Sequence, residues 1–98
     1  MQAYKHFIKY ALKDGYTVSV YDGEEWQVKR STGYKAIVEA VESVEEAQLR
    51  IRDKDGNIKG WALVSAYGLE DDETMIDYSD NLYLESWVDC HNEYLSQF

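Results

Sequence analysis

Two Asx-Gly turns constrain the fold of this chain more than any other feature of its sequence. Asp22-Gly23 separates two short segments in which apolar and polar residues alternate, and the turn over residues 53–57 does the same further along. Alternation on both sides of a tight turn is typical of a β-hairpin, because glycine tolerates the backbone conformation that the turn requires. The sequence therefore predicts two hairpins that can merge into one antiparallel sheet.

The predicted strands span residues 16–21, 26–30, 47–52 and 58–67. In the first and third strands, apolar side chains occupy every second position, as expected for a strand with one buried and one exposed face. The fourth strand contains WALVSAY, residues 61–67, which is apolar on both sides. We expect this strand to be central, with protein packed on each face or a partner on one of them.

Three further segments carry apolar residues at helical spacing. The first helix is predicted over residues 4–13, and the second over residues 34–44 with Ser31 or Thr32 as its N-cap. The third begins after an N-cap at Ser79 and has the clearest apolar stripe, formed by Leu84, Trp87, Val88, His91, Tyr94, Leu95 and Phe98. The predicted order is α-β-β-α-β-β-α, a single α+β domain in which three helices pack on the antiparallel sheet.

The charged residues are distributed unevenly along the 98-residue chain. Residues 1–59 contain ten acidic and ten basic side chains, whereas residues 60–98 contain nine acidic and no basic ones. The whole net charge of −9 therefore lies in the C-terminal third. This distribution disfavours direct binding to nucleic acid or to an anionic membrane, because both need lysine and arginine. It favours a cationic partner.

The sequence also predicts the cellular compartment. Cys90 is the only cysteine, which suits a reducing environment. The N-terminal segment lacks the apolar region of a secretory signal, and no apolar run reaches the length needed to span a membrane. We therefore expect a cytoplasmic protein.

Two segments bear a partial likeness to chemical sites. Cys90 and His91 place a thiol beside an imidazole, but neighbours on a helix point about 100° apart, which works against a catalytic dyad. In the turn over residues 53–57, the glycine comes too early for a calcium-binding loop, and a hairpin turn explains the pattern. The sequence has no phosphate-binding glycine loop and no zinc-ligand spacing. It therefore predicts no catalytic residues, no metal site and no cofactor.

Acidic residues of the C-terminal third are the predicted binding residues. On the final helix, Glu85, Asp89 and Glu93 recur every four residues, about 6 Å apart, which resembles the spacing of nucleic-acid phosphates. A second interpretation is a solvated face that only keeps the protein soluble. We expect Tyr83 to lie off the apolar stripe as an aromatic anchor. The predicted binding set is Glu70, Asp71, Asp72, Glu73, Asp77, Asp80, Tyr83, Glu85, Asp89 and Glu93.

The segments DGEEWQVKRS, residues 22–31, and GWALVSAYGL, residues 60–69, carry a family resemblance that extends over about residues 12–78. Here the chain resembles small acidic proteins of tailed bacteriophages, including T7-like ones. The resemblance supplies no catalytic residues. It implies a protein that is made in a bacterial host, where such proteins often bind and inhibit a host enzyme, some of them as DNA mimics.

Three functional hypotheses follow from the sequence. The first is a non-enzymatic acidic protein that docks its C-terminal face on a basic host protein, in particular a nucleic-acid-binding enzyme that it inhibits as a mimic. The second is a structural or accessory protein that self-associates, for example as a homodimer, and so covers one face of residues 61–67. The third is an enzyme or small-ligand protein that uses Cys90, His91 or a pocket between the sheet and the helices.

Overall fold

The computed structural model describes residues 2–67, 74–79 and 81–95, with side chains described through Asn92. It contains three helices, α1 (Ala3–Lys13), α2 (Tyr34–Glu42) and α3 (Leu82–Leu95). The five strands are β1 (Thr17–Tyr21), β2 (Trp26–Ser31), β3 (Ala47–Arg52), β4 (Ile58–Val64) and β5 (Met75–Tyr78). They form one antiparallel sheet in the order β2-β1-β3-β4-β5. The predicted α+β fold, with two hairpins merged into one sheet, is confirmed.

The molecule has two layers, because all three helices cover the same face of the sheet. In the sheet register, Val18 lies opposite Ile51 and Val20 opposite Leu49, so these side chains share one face. All four are buried under α1, α2 and α3, together with Phe7, Ile37, Ala62, Val64, Leu84 and Trp87. The alternating pattern of β1 and β3 predicted this burial, since successive side chains of a strand point to opposite faces. No described helix covers the other face, which is named the open face below.

Two predicted boundaries are wrong, and each has a local reason. The N-cap of α2 is Gly33, which makes no side-chain capping bond, and the Ser31 hydroxyl accepts the Gly33 N–H at 3.0 Å instead. Strand β4 ends at Val64 rather than Tyr67, because the chain turns at residues 66 and 67, directly after the Ser65 N–H donates to the Thr74 carbonyl at 2.9 Å. As predicted, β4 is an internal strand, lying between β3 and β5.

Strand β5 is absent from the predicted order, and α3 begins later than predicted. Strand β5 has only four residues and pairs with β4 through Leu63 and Asp77. Ser79 does not lead directly into the helix, because its hydroxyl accepts the Trp61 N–H at 3.1 Å and bonds the Asn81 side chain at 3.1 Å. Helix α3 therefore begins at Leu82. The predicted first-turn residue, Asp80, lies outside the described residues.

A residue from the far end of the chain stabilises the N-terminus of α1. Gln2, the N-cap of α1, makes no side-chain capping bond. Instead the Tyr4 N–H donates to the Thr74 hydroxyl at 3.1 Å, and Thr74 is fully buried. The first N–H groups of a helix have no acceptor within the helix. The buried Thr74 hydroxyl accepts one of them and so acts as a cap of α1. This contact links α1 to the start of β5.

Replacing Thr74 by valine should lower the free energy of unfolding by about 1–2 kcal/mol, because a buried N–H of α1 then loses its acceptor at nearly constant side-chain volume. Thr74→Ser should recover most of that loss. Exposed Thr32 is the matched control, and Thr32→Val should change stability by less than about 0.5 kcal/mol. Urea unfolding followed by circular dichroism measures all three. A Thr74→Val protein as stable as wild type would show that the hydroxyl does not cap α1.

Candidate functional site

The outer face of α3 displays part of the predicted acidic row. Glu85 and Asp89 are both exposed and lie four residues apart, so they are neighbours on one side of the helix. The opposite side of α3 carries Leu84, Trp87 and His91, which are buried. This burial fixes the rotation of α3 about its axis and holds the two carboxylates towards solvent. Glu93 continues the row in sequence, but its side chain lies outside the described residues.

The remaining predicted acids do not form one surface with this row. Asp77 lies opposite Leu63 in the β4–β5 register and points to the open face, away from α3. Its neighbour Tyr78 points to the helical side, where its ring lies 6.3 Å from that of Trp87. The other predicted acids, Glu70, Asp71, Asp72, Glu73 and Asp80, lie outside the described residues. Of the described set, the structure therefore brings together Glu85 and Asp89 and separates Asp77 from them.

Tyr83 does not lie off the apolar stripe, and this expectation is wrong. Its ring packs between α1 and the start of β1, with centroids 5.6 Å from Tyr10, 5.3 Å from Tyr16 and 6.5 Å from Phe7. The hydroxyl is buried and has no hydrogen-bond partner among the described residues. Burial raises the pKa of the Tyr83 phenol far above its usual range. Tyr83 therefore contributes mainly to the core, and its hydroxyl is not available to a partner at the surface.

A pair of histidines joins α1 to α3 on the buried side of α3. The Nδ1 atoms of His6 and His91 lie 2.7 Å apart, and the His91 ring stacks on Trp87 at 5.1 Å and 16°. A hydrogen bond between two Nδ1 atoms requires one ring to donate and the other to accept, so at least one imidazole is neutral. Burial lowers the pKa of His6, and the nearby His91 adds to that effect. The sequence predicted His91 on the buried stripe, and the structure confirms it.

This histidine pair does not have the form of a catalytic centre. The Nδ1 atom of His91 is occupied by His6, and Cys90 lies on the flank of α3, where it is half-buried. Nucleophilic catalysis needs a base that is bonded to the nucleophile and a third group that orients the base. Among the described residues, no group of three or more His, Cys, Asp or Glu side chains could hold a metal ion. The arrangement favours a structural contact between two helices.

The open face carries an arrangement of charged and aromatic residues that the sequence analysis missed. Tyr21, Gln48 and Leu63 lie side by side across β1, β3 and β4, and Ser19, Arg50 and Trp61 form the next row. The Arg50 guanidinium lies 5.0 Å from the centre of the Trp26 ring, at cation–π distance. These residues come from four separate strands, so no continuous stretch of sequence reveals them. Only the register of the sheet brings them together.

Comparison of the chain with family models, with curated proteins and with solved structures gave no match. Within the described ranges, none of the helices is long and apolar enough to cross a membrane.

Proposed function

We propose that this protein is a non-enzymatic binding protein whose acidic α3 face docks on a cationic surface of another protein. The observation that carries the proposal is that Glu85 and Asp89 are exposed and that no described side chain neutralises them. Neither carboxylate forms an ion pair with a described side chain, whereas Glu39 pairs with Lys35 and Asp53 with Lys59. An i, i+4 pair of like charges costs a few tenths of a kcal/mol in an isolated helix. Helices that carry such a pair usually place a lysine beside it to neutralise the charge, and residues 60–98 contain no basic residue.

The spacing of the row favours a partner that normally binds nucleic acid. Carboxylates on successive turns of a helix lie about 6 Å apart, close to the separation of backbone phosphates along a strand. A protein surface that releases counterions on binding DNA would gain the same advantage from this row. The resemblance to phage proteins adds a context in which the partner is a basic host protein, for example a nucleic-acid-binding enzyme that is inhibited by the contact.

Electrostatic docking of this kind should act more on the rate of association than on the lifetime of the complex. At physiological ionic strength, the carboxylates of α3 would attract Lys and Arg side chains of the partner over a distance of about 8–10 Å. We therefore expect binding that weakens as salt is added, and mainly through a slower association rate.

The test is a charge reversal on α3 with a charge-matched control. In the variant Glu85→Lys/Asp89→Lys/Glu93→Lys, the net charge changes from −9 to −3, because each reversal adds two units. The control, Glu24→Lys/Glu25→Lys/Asp55→Lys, makes the same change at exposed positions outside α3. The partner in this test is a basic protein that the wild-type chain retains from a bacterial lysate. We expect the α3 variant to bind it at least about 100-fold more weakly, because like charges facing each other cost several kcal/mol. The control should lose less than about fivefold.

Surface plasmon resonance measures both effects, and thermal unfolding checks that both variants remain folded. Equal losses in the two variants would mean that total charge, and not the α3 face, controls binding. Unchanged binding by the α3 variant would disprove the proposal.

A further inference from the structure

The open face of the sheet has opposite charges at its two ends. At the end where Thr17 lies opposite Arg52, a cleft of about 360 Å³ is lined by Ser19, Trp26, Lys29, Arg30 and Arg52. At the other end, where Tyr21 lies opposite Gln48, a cleft of about 230 Å³ is lined by Tyr21, Asp22, Gly23, Glu46, Gln48 and Leu63. Asp77 adds a further carboxylate beside Leu63. The first cleft is named the basic end and the second, with Asp77, the acidic end.

The cations of the basic end are not neutralised by any described side chain. Lys29, Arg30 and Arg52 form no ion pair with one, and neither does Arg50 in the adjacent row. Arg52 donates to the Gly56 carbonyl at 2.8 Å, so its guanidinium is held in place while it keeps its charge. An ordered, uncompensated guanidinium is the kind of group that proteins use to bind carboxylates, since its N–H donors match a carboxylate in pairs.

Half-buried aromatic and apolar side chains connect the two ends of the open face. Trp61 lies in the row between the ends, Trp26 also lines the basic end, and Tyr21 and Leu63 also line the acidic end. The Tyr21 and Trp26 rings contact each other at 4.9 Å. Trp, Tyr and Arg are the residues most often found as anchors in protein interfaces. An aromatic centre with charge at its margins has the composition of an interface between proteins.

We propose that the open face binds a second copy of this chain, with the two sheets packed face to face. The two-fold axis lies parallel to the sheets and perpendicular to the strands. This axis places the basic end of each copy on the acidic end of the other, so both charge contacts are favourable. A two-fold axis along the strands would instead place like ends together. The interface is isologous, which is the usual form of a homodimer.

The dimensions of the open face suit a modest but specific dimer. Five strands at about 4.8 Å and six residues at about 3.3 Å give a face of roughly 24 by 20 Å. Its projected area of about 480 Å² is smaller than the roughly 800 Å² per partner of a standard interface, so the dimer belongs to the small and weak class of interfaces. Sheets packed face to face lie about 10 Å apart, a distance that the half-buried Trp side chains can fill.

The acidic end favours a second copy over a nucleic acid as the occupant. A single strand could stack bases on Trp61 and place phosphates on the arginines, as on other open sheets. It would also run over Asp22, Glu46 and Asp77, where its phosphates are repelled. Only a partner with both signs of charge matches both ends, and this chain presents that pattern itself.

Reversing the charge of one end at a time tests the proposal. Variant P, Lys29→Glu/Arg52→Glu, makes both ends acidic, and variant Q, Glu46→Lys/Asp77→Lys, makes both ends basic. Sedimentation equilibrium from 5 to 500 µM in 50 mM salt should show wild type as a dimer and each variant alone as a monomer. An equimolar mixture of P and Q should form a heterodimer, because acidic ends then face basic ends at both contacts. The wild-type dimer should weaken at least about tenfold in 500 mM salt.

Reversals on the helical layer provide the control. Lys35→Glu/Glu39→Lys exchanges the two charges of an exposed ion pair on α2 and should leave the dimer unchanged. A wild-type protein that stays monomeric at 500 µM would overturn the proposal, as would a dimer that survives in both P and Q. Failure of folded P and Q to form a heterodimer would also overturn it. A single-stranded 20-mer that binds monomeric wild type but not P would assign the open face to nucleic acid instead.

Discussion

Gly60→Ala should destabilise the protein by about 1–3 kcal/mol, although it adds only one methyl group. A Cβ atom at Gly60 would lie 2.1 Å from Cδ2 of Leu84, and 3.1 Å from the hydroxyl of Ser79. Leu84 is fully buried in the contact between α3 and β4, so its side chain has no free space into which it can turn. The new methyl group therefore forces Leu84 out of its rotamer or α3 away from the sheet. Urea unfolding followed by tryptophan fluorescence measures the loss.

A double-mutant cycle with Leu84 identifies the cause of this loss. Leu84→Ala alone should cost about 2–5 kcal/mol, because it leaves a cavity in the core. Gly60→Ala/Leu84→Ala should cost at least about 1 kcal/mol less than the sum of the single changes, since the added methyl group then occupies that cavity. Gly33→Ala is the matched control, because a Cβ there meets its nearest atom at an ordinary 3.6 Å. Additive single changes would rule out a direct clash between the two residues.

The second large effect should be a loss of stability as the pH falls below about 6.5. The pKa of His6 is lowered in the folded protein, by burial and by the positive charges of His91 and Lys9. The unfolded chain therefore binds more protons than the folded chain below the ordinary histidine pKa, and protonation favours unfolding. Stability is fully present above that pKa and is lost as the pH decreases through it.

Thermal unfolding at pH 7.5 and at pH 5.5 measures this loss, in a range where ordinary carboxylates remain ionised. His6→Gln should flatten the profile, because it removes the second positive charge from beside His91. The change in melting temperature between the two pH values should therefore be smaller in His6→Gln than in wild type. The same change in both proteins would show that the histidine pair does not control the acid sensitivity.

The sequence predicted the elements whose pattern is local. Helices α1 and α2 and strands β1 and β3 follow from periodicity within ten residues or fewer, because burial against one layer imposes that periodicity. Strand β5 could not be predicted in this way. Four residues, MIDY, are too few for an alternating pattern to stand out, and the strand exists because its backbone pairs with β4. The Ser31 and Thr32 caps failed because Gly33 begins the helix without any side-chain bond.

The candidate site was predicted in part. Helical spacing identified Glu85 and Asp89 as neighbours on an exposed face, because that relation lies within one element. Tyr83 lies on the buried side of α3 because its ring packs against Tyr10 and Tyr16, which extend that side beyond the predicted apolar stripe. The contact between His6 and His91 joins residues 85 positions apart, so only the packing of α1 on α3 reveals it.

The open face was missed for a different reason. Charge was counted along the chain, and residues 1–59 sum to zero. A net charge of zero does not show that these charges are separated in space. On the open face, Lys29, Arg30 and Arg52 lie at one end, and Asp22 and Glu46 lie at the other. Alternation shows which residues share a face, but the order of the strands decides which of them become neighbours. The strand order does not follow from the pattern of any single strand.

Affinity capture from a bacterial lysate tests the central claim most directly. The immobilised wild-type protein is compared with Glu85→Lys/Asp89→Lys/Glu93→Lys, with and without nuclease treatment, and bound proteins are eluted with a salt gradient. The α3 docking proposal predicts that wild type alone retains a basic protein after nuclease treatment, and that rising salt or added DNA displaces it. Equal retention by both baits, or retention that nuclease abolishes, would contradict the proposal and leave the acidic row as a solvated face.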